Sequence, residues 1–243
     1  MTLEGARVLV TRAAEDAESL EILLRDRGAI PVRMPCISFE DGSQVAQVVQ
    51  HLRNLPDLVI VSSPHAARRL LALVGRIDVP LAAVGEGTAA LLPGDVIVPK
   101  RGVGASALVE ELKDRVRGKR VLIPRAERSN PELINGLTRA GAQVEALTLY
   151  RTVTPKSADP EVLRELREGG IDAITFASGS AVRGFVALAG AQSASRSAVV
   201  CMGGSAAGEA GAAGIRIDAA GFDGLPQLCD ALADVLSRRR RET

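Results

Sequence analysis

Residues 57–69, DLVIVSSPHAARR, and residues 172–184, DAITFASGSAVRG, are written to one plan. Each has an acid, a short apolar run, a small polar cluster at Ser62 and Ser63 or at Ser178 and Ser180, and an Ala-led helix start carrying an arginine. A short β-branched run bounded by turn formers is a strand signal, and serine ahead of small residues is a helix-start signal. Each stretch therefore reads as a buried strand feeding a helix.

The match extends outward. Residues 7–32, RVLVTRAAEDAESLEILLRDRGAIPV, align with residues 120–145, RVLIPRAERSNPELINGLTRAGAQVE, at an offset of 113, which sets Arg12 over Arg125 and Gly28 over Gly141. Asp57 falls over Asp172 at an offset of 115, and Gly85 in AAVGEGTAA over Gly203 in VCMGGSAAG at 118. Because the order is the same in both halves, the chain reads as an internal duplication. The runs RVLVTR, DLVIVSS, LAAVG, VIVPK, RVLIPR, VEALTLY, DAITFAS, AVVCMG and IRIDAA alternate with amphipathic helical stretches. That alternation predicts parallel sheets covered on both faces by helices. The expected fold class is α/β, with two similar parallel-sheet α/β domains and a ligand cleft between them. The repeat taken alone divides the chain near Gly118.

Composition removes several functional classes. Thirty Lys and Arg against 29 Asp and Glu leave a net charge of +1, which gives no electrostatic case for nucleic acid as a partner. No apolar run reaches the roughly 18 residues of a membrane span, and the start MTLEGARVLVTR has no signal-peptide pattern, so a cytoplasmic location without membrane association is expected. Cys36, Cys201 and Cys229 are too far apart for a CxxC pair and read as buried small apolar residues. Two histidines, His51 and His65, do not have metal-ligand spacing, so no metal is expected. GEGTAA from Gly85 and GVGASA from Gly102 fit a dinucleotide fingerprint, but the next strands end in Pro99 and Lys100 or Pro124 and Arg125, without the acid that grips ribose. Phosphate-loop, nucleophile-elbow and HExxH signatures are absent. SRRRRET, residues 237–243, reads as a frayed last helical turn whose cations suit the helix dipole.

In open parallel sheets ligands sit beyond the strand carboxyl ends. The candidate binding groups there are Arg12, Ser62, Ser63, Gly85, Thr88, Ser106, Arg125, Ser178, Ser180, Gly203 and Ser205. Helix N-termini at these loops can hold an anion, although serine and glycine are also ordinary helix caps. Asp57 and Asp172 precede their strands, at the opposite edge, and read as structural pairs or caps. Tyr150, the only tyrosine, breaks the repeat by standing over Ile37; its phenol can donate a proton or hydrogen bond at a reacting centre, or belong to a half-buried ring whose hydroxyl reaches water.

The ordered set VLVTR, SSPHAAR, AVGEGTA, GKRVLIPRAERSNPELINGLTRAGAQVEALTLYRTV, DAITFASGSAVRGF and GLPQLCDAL resembles the uroporphyrinogen-III synthase family over nearly the whole chain. The resemblance implies a discontinuous first domain of residues 1–38 and 153–243, a second domain of residues 39–152, and a two-stranded linker between them. It implies hydroxymethylbilane, a linear tetrapyrrole with eight carboxylates, as the small-molecule substrate. The chemistry implied is loss of water, attack through a spiro intermediate and closure with the last ring inverted, with Tyr150 as the catalytic residue, no cofactor, and a monomer. Ala177 and Ala206 stand where the family often has Thr. A two-domain α/β protein that binds or senses a small anion without turnover is the alternative reading, and a nucleotide-dependent transferase a third.

Overall fold

Residues 2–242 are described by the structure, a computed structural model. In chain order the elements are β1 (Arg7–Val10), α1 (Ala14–Arg25), β2 (Ile30–Arg33), β3 (Ser38–Asp41), α2 (Val45–Arg53), β4 (Leu58–Val61), α3 (Pro64–Val74), β5 (Leu81–Ala83), α4 (Glu86–Ala89), β6 (Val96–Ile97) and α5 (Ala105–Leu112). The chain continues with β7 (Arg120–Ala126), α6 (Glu132–Arg139), β8 (Gln143–Val153), α7 (Pro160–Glu168), β9 (Ala173–Phe176), α8 (Gly179–Ala189), β10 (Ala198–Cys201), α9 (Gly204–Ala212), β11 (Ala219–Ala220) and α10 (Leu225–Glu242). They form two compact units, one from Met1–Phe39 with Val153–Thr243 and the other from Glu40–Thr152.

In the discontinuous unit the strand order is β11-β10-β9-β1-β2, and its strand pairs are parallel. Side chains alternate across a strand, so Val8 and Val10 pack with Leu20, Leu24, Leu228 and Leu232 of α1 and α10. Leu9 turns to the other face, among Ile174, Phe176, Phe185 and Val199. Each fully buried Leu or Phe contributes about 1.5–3 kcal/mol, so both layers of helices are held by the same strands. Where β1 and β9 end, Thr11 Oγ1 donates to the Thr175 carbonyl at 2.6 Å and Thr175 Oγ1 to the Leu9 carbonyl at 3.0 Å. This buried clasp satisfies both hydroxyls and closes the gap between the strands.

In the contiguous unit the order is β3-β8-β7-β4-β5-β6. The pairs β4–β7, β4–β5, β5–β6 and β7–β8 are parallel. One face packs Leu58, Ile60 and Ile123 against Leu108 and Leu112 of α5 and Leu133 and Leu137 of α6. Glu40 of β3 and Arg151 of β8 form a salt bridge at 2.6 Å where the two strands lie side by side.

Repeat and spatial unit are cut from the chain differently. By the sequence match β1 and β2 correspond to β7 and β8, and β9, β10 and β11 correspond to β4, β5 and β6. Each sheet therefore takes its first two corresponding strands from one repeat and the following three from the other: β1-β2 joins β9-β10-β11, and β7-β8 joins β4-β5-β6. The repeated acids pin this exchange. Asp172 accepts from the Arg7 N–H at 2.7 Å and Asp57 from the Arg120 N–H at 2.8 Å, each joining the start of a strand to its neighbour from the other repeat.

Several expected elements differ. VIVPK forms a strand only at Val96–Ile97 and IRIDAA only at Ala219–Ala220. The second is short because Asp218 turns inward to accept the Val199 N–H at 2.8 Å. The GEGTAA helix is the four-residue α4, too short to carry a useful dipole. The basic run does not fray: α10 continues to Glu242, and Arg239 meets Asp218 at 3.0 Å. Thr243 lies outside the described residues. Cys36, Cys201 and Cys229 are free and buried, and burial pushes their thiols up to about 12, 11 and 11, respectively.

Burial pushes the Asp218 carboxyl up, but the Val199 N–H and the guanidinium groups of Arg216 and Arg239 outweigh it and hold the carboxyl below its ordinary range. A depressed carboxylate stabilises the fold above the unfolded-state value and ceases to do so as pH falls through the folded-state value. Asp218→Ala, which leaves the Val199 N–H without this acceptor, is expected to cost about 1–3 kcal/mol at neutral pH. Denaturant titrations should show the difference from the parent shrinking as the medium is acidified through the carboxylate range.

Candidate functional site

Tyr150 is placed by an irregularity in its strand. β7 and β8 pair in register up to Arg125 opposite Thr148, but Ala126 is opposite Tyr150, so Leu149 is an extra residue. Such a bulge re-aims side chains, and residues 147–150 are all buried around it. The bulge is held from one side by Gly42, whose N–H donates to the Leu149 carbonyl at 2.9 Å. Gln44 Oε1 also accepts from the Thr148 N–H at 2.9 Å. Tyr150 is 7% exposed. Its Oη lies 3.2 Å from Ser63 Oγ, and the His65 ring packs edge-on with centroids 4.5 Å apart.

Ser63 stands at the end of β4 as the N-cap of α3, with extended backbone, and its Oγ accepts the Ala66 N–H at 3.1 Å. Pro64 follows at the first helical position, where its missing N–H costs nothing. Next to it, Ser62 lines a pocket of ≈ 250 Å³. Val84, Ala105, Ile123, Leu133 and Ile134 give the pocket an apolar lining, and Gly104, Arg125, Ser129 and Asn130 add polar groups to it. The first turn of α5 opens there without a side-chain cap. Arg125 Nη1 is bound to the carbonyls of Ala126 and Glu127 and to Ser129 Oγ at 3.0 Å, while its Nε is buried with no hydrogen-bond partner. Ser106 donates to Glu132 at 2.6 Å, so it joins α5 to α6 rather than offering its proton to the pocket.

The pocket lies beyond the carboxyl ends of β4, β5 and β7, where chain order reverses between β7 and β4. Two larger hollows, of ≈ 360 and ≈ 330 Å³, lie at the other end of the sheet, around Arg53, Leu55 and Arg76 and around His51, Arg120 and Glu145. Neither contains a candidate site residue. Among the described residues no group of three or more His, Cys, Asp or Glu side chains could hold a metal ion, and no helix is long and apolar enough to cross a membrane.

The remaining candidates divide between the units. In the contiguous one, Gly85 precedes the short α4 and Thr88 is buried within it, 4% exposed. In the discontinuous one, Arg12 Nε donates to the Asp16 carbonyl at 2.9 Å, and Ser178 caps α8 through the Ala181 N–H at 3.2 Å. Ser180 accepts from Arg183, which also pairs with Glu209, and Gly203 precedes α9 with Ser205 in its first turn. The matching serines Ser63 and Ser178 thus do the same structural work, and within its own unit Ser63 also meets the Tyr150 phenol. Ala206 is buried, so its position faces the core and not a loop. His65, Ser129 and Asn130 had no signal in the sequence that set them apart as site residues.

A parallel α/β architecture with a pocket at the strand carboxyl ends is that of the open-sheet α/β proteins, which bind small molecules at this edge. The chain belongs to the uroporphyrinogen-III synthase family: the family model described as uroporphyrinogen-III synthase HemD matches residues 18–220. The uroporphyrinogen-III synthase of Synechococcus elongatus is 30% identical over 201 residues, covering 76% of this chain and 75% of that protein. A chloroplastic uroporphyrinogen-III synthase of Oryza sativa subsp. japonica is 26% identical over 223 residues, covering 86% and 73%. Among solved structures, uroporphyrinogen-III synthetase of Helicobacter pylori has a TM-score of 0.64 at 16% identity, covering 96% of this chain and 99% of that one. A mutant uroporphyrinogen III synthase of Thermus thermophilus has 0.59 at 19%, covering 96% and 100%. At these identities the two structures establish the fold.

Proposed function

We propose that this chain cyclises hydroxymethylbilane to uroporphyrinogen III as a cofactor-independent hydro-lyase, acting as a cytoplasmic monomer. The observation that carries the reading is the Tyr150 phenol, buried at the strand ends within a hydrogen bond of Ser63, which adjoins the pocket through Ser62. Tyr150 passes its proton to the terminal hydroxyl as the C–O bond breaks, so water departs and an electrophilic methylene is left. The substituted carbon of the last pyrrole attacks it to give the spiro intermediate, which fragments and recloses with that ring inverted. The ring proton released at final closure restores the phenol directly or through solvent. Closure without assistance yields the unrearranged isomer, so much of the task is holding one geometry, for which about 7–11 kcal/mol is available.

The pocket suits a carboxylate arm of the substrate: apolar walls for methylenes, then the α5 N-terminus and the Arg125 guanidinium for the charge. Arg125→Gln is expected to raise KM by about tenfold to a hundredfold, one charge-assisted hydrogen bond, with kcat little changed. Steady-state kinetics on hydroxymethylbilane check this, and an unchanged KM would remove Arg125 from binding. The reading as a whole is tested by giving the protein fresh hydroxymethylbilane without metal or nucleotide and separating the products by isomer. Isomer III is expected. Isomer I at the protein-free rate would overturn the activity and leave an anion-binding protein.

A further inference from the structure

The geometry points to Ser63 as a positioning residue that donates its hydroxyl hydrogen to Tyr150 Oη, an inference that rests on the proposed role of Tyr150. The pair is 3.2 Å apart, and either oxygen could donate. Three features favour Ser63 as the donor. Its Oγ already accepts the Ala66 N–H at 3.1 Å, which uses one lone pair and draws electron density from the O–H bond. It also sits at the N-terminus of the eleven-residue α3, where the positive end of the dipole weakens a serine oxygen as a second acceptor and strengthens its hydrogen as a donor. Finally, a chain in which each hydroxyl accepts once and donates once is cooperatively polarised, whereas a doubly accepting serine breaks it.

In this arrangement the phenol oxygen accepts from Ser63 and its proton is not spent on that bond. Ser63 thereby steadies the negative charge that grows on Oη as the proton leaves. His65, edge-on to the ring at 4.5 Å, restricts rotation of the phenol plane.

Tyr150 is the only tyrosine in a chain with no tryptophan, which makes the test direct. The intensity ratio of the tyrosine Fermi doublet in ultraviolet resonance Raman spectra distinguishes a phenol that accepts from one that only donates, and every count comes from Tyr150. We expect the ratio of an accepting phenol in the parent protein, loss of that character in Ser63→Ala, and its return in Ser63→Thr, which keeps both the cap and the hydroxyl. In the isomer assay Ser63→Ala should lose about tenfold in kcat with KM held, and Ser63→Thr should recover it. A parent ratio characteristic of donation alone, or no change in Ser63→Ala, overturns the inference. A doublet that shifts as expected in a protein that makes no isomer III would leave the hydrogen bond standing and overturn the activity instead.

Discussion

Tyr150→Phe is expected to slow ring closure by about 10²- to 10⁴-fold in kcat, the range for loss of a placed general acid, with the fold intact. Phenylalanine fills the same buried position at the β8 bulge and keeps the edge contact with His65, so packing changes little. What is lost is one hydroxyl, with the proton it carries and its place beside Ser63. Single-turnover rates at saturating hydroxymethylbilane separate this from weakened binding. Circular dichroism should show the parent's melting curve. A variant that closes the ring at the parent rate would reduce Tyr150 to a wall of the site.

The second large effect concerns a single added methyl group. A Cβ on Gly184, in α8, would lie 1.8 Å from the Cys36 carbonyl oxygen, on the chain leaving β2. That backbone is itself fixed, because the Cys36 N–H donates to the Thr11 carbonyl at 3.1 Å at the end of β1. Neither partner can yield without disturbing a strand, so Gly184→Ala is expected to destabilise by about 3 kcal/mol, the upper part of the usual range for overpacking. Gly208→Ala, in the exposed face of α9 with open space around it, should instead stabilise by about 0.5–1 kcal/mol through helix propensity. Chemical denaturation of the pair measures both signs. Equal and small effects would mean that α8 can move away from Cys36 cheaply.

What could be read in the chain beforehand follows from which interactions are local. β4 and β9 declare themselves because a short run of apolar and β-branched residues precedes a serine cap, and the caps at Ser63 and Ser178 lie three residues from the N–H groups they bind. β2 is harder to see because Pro31 interrupts it, which is tolerated only because β2 is the edge of its sheet. β3, Ser38–Asp41, has two acidic residues in four and forms because β8 offers it a free edge. For the site, the phenol and the serine loop were visible as residue types. Their meeting was not, since Ser63 and Tyr150 are 87 residues apart and the extra residue at Leu149 decides which way the ring points. His65 next to the phenol depends on the same bulge.

The exchange of halves between the repeats imposes an order on biosynthesis. The apolar strand β1 is complete once Val10 is made, yet the neighbour that completes its sheet begins at Ala173. At ribosomal speeds of about 5–20 residues per second, β1 waits roughly 10–30 s for β9. During that interval the whole contiguous unit, Glu40–Thr152, emerges and has everything its own sheet from β4 to β8 requires. The nascent chain therefore carries an incomplete amino-terminal unit of β1, α1 and β2 past a finished neighbour with the same kind of sheet. Asp172 on Arg7 and Asp57 on Arg120 make the same bond in the two units, so these acids fix the register of a pair without telling the late partner from the early, similar one.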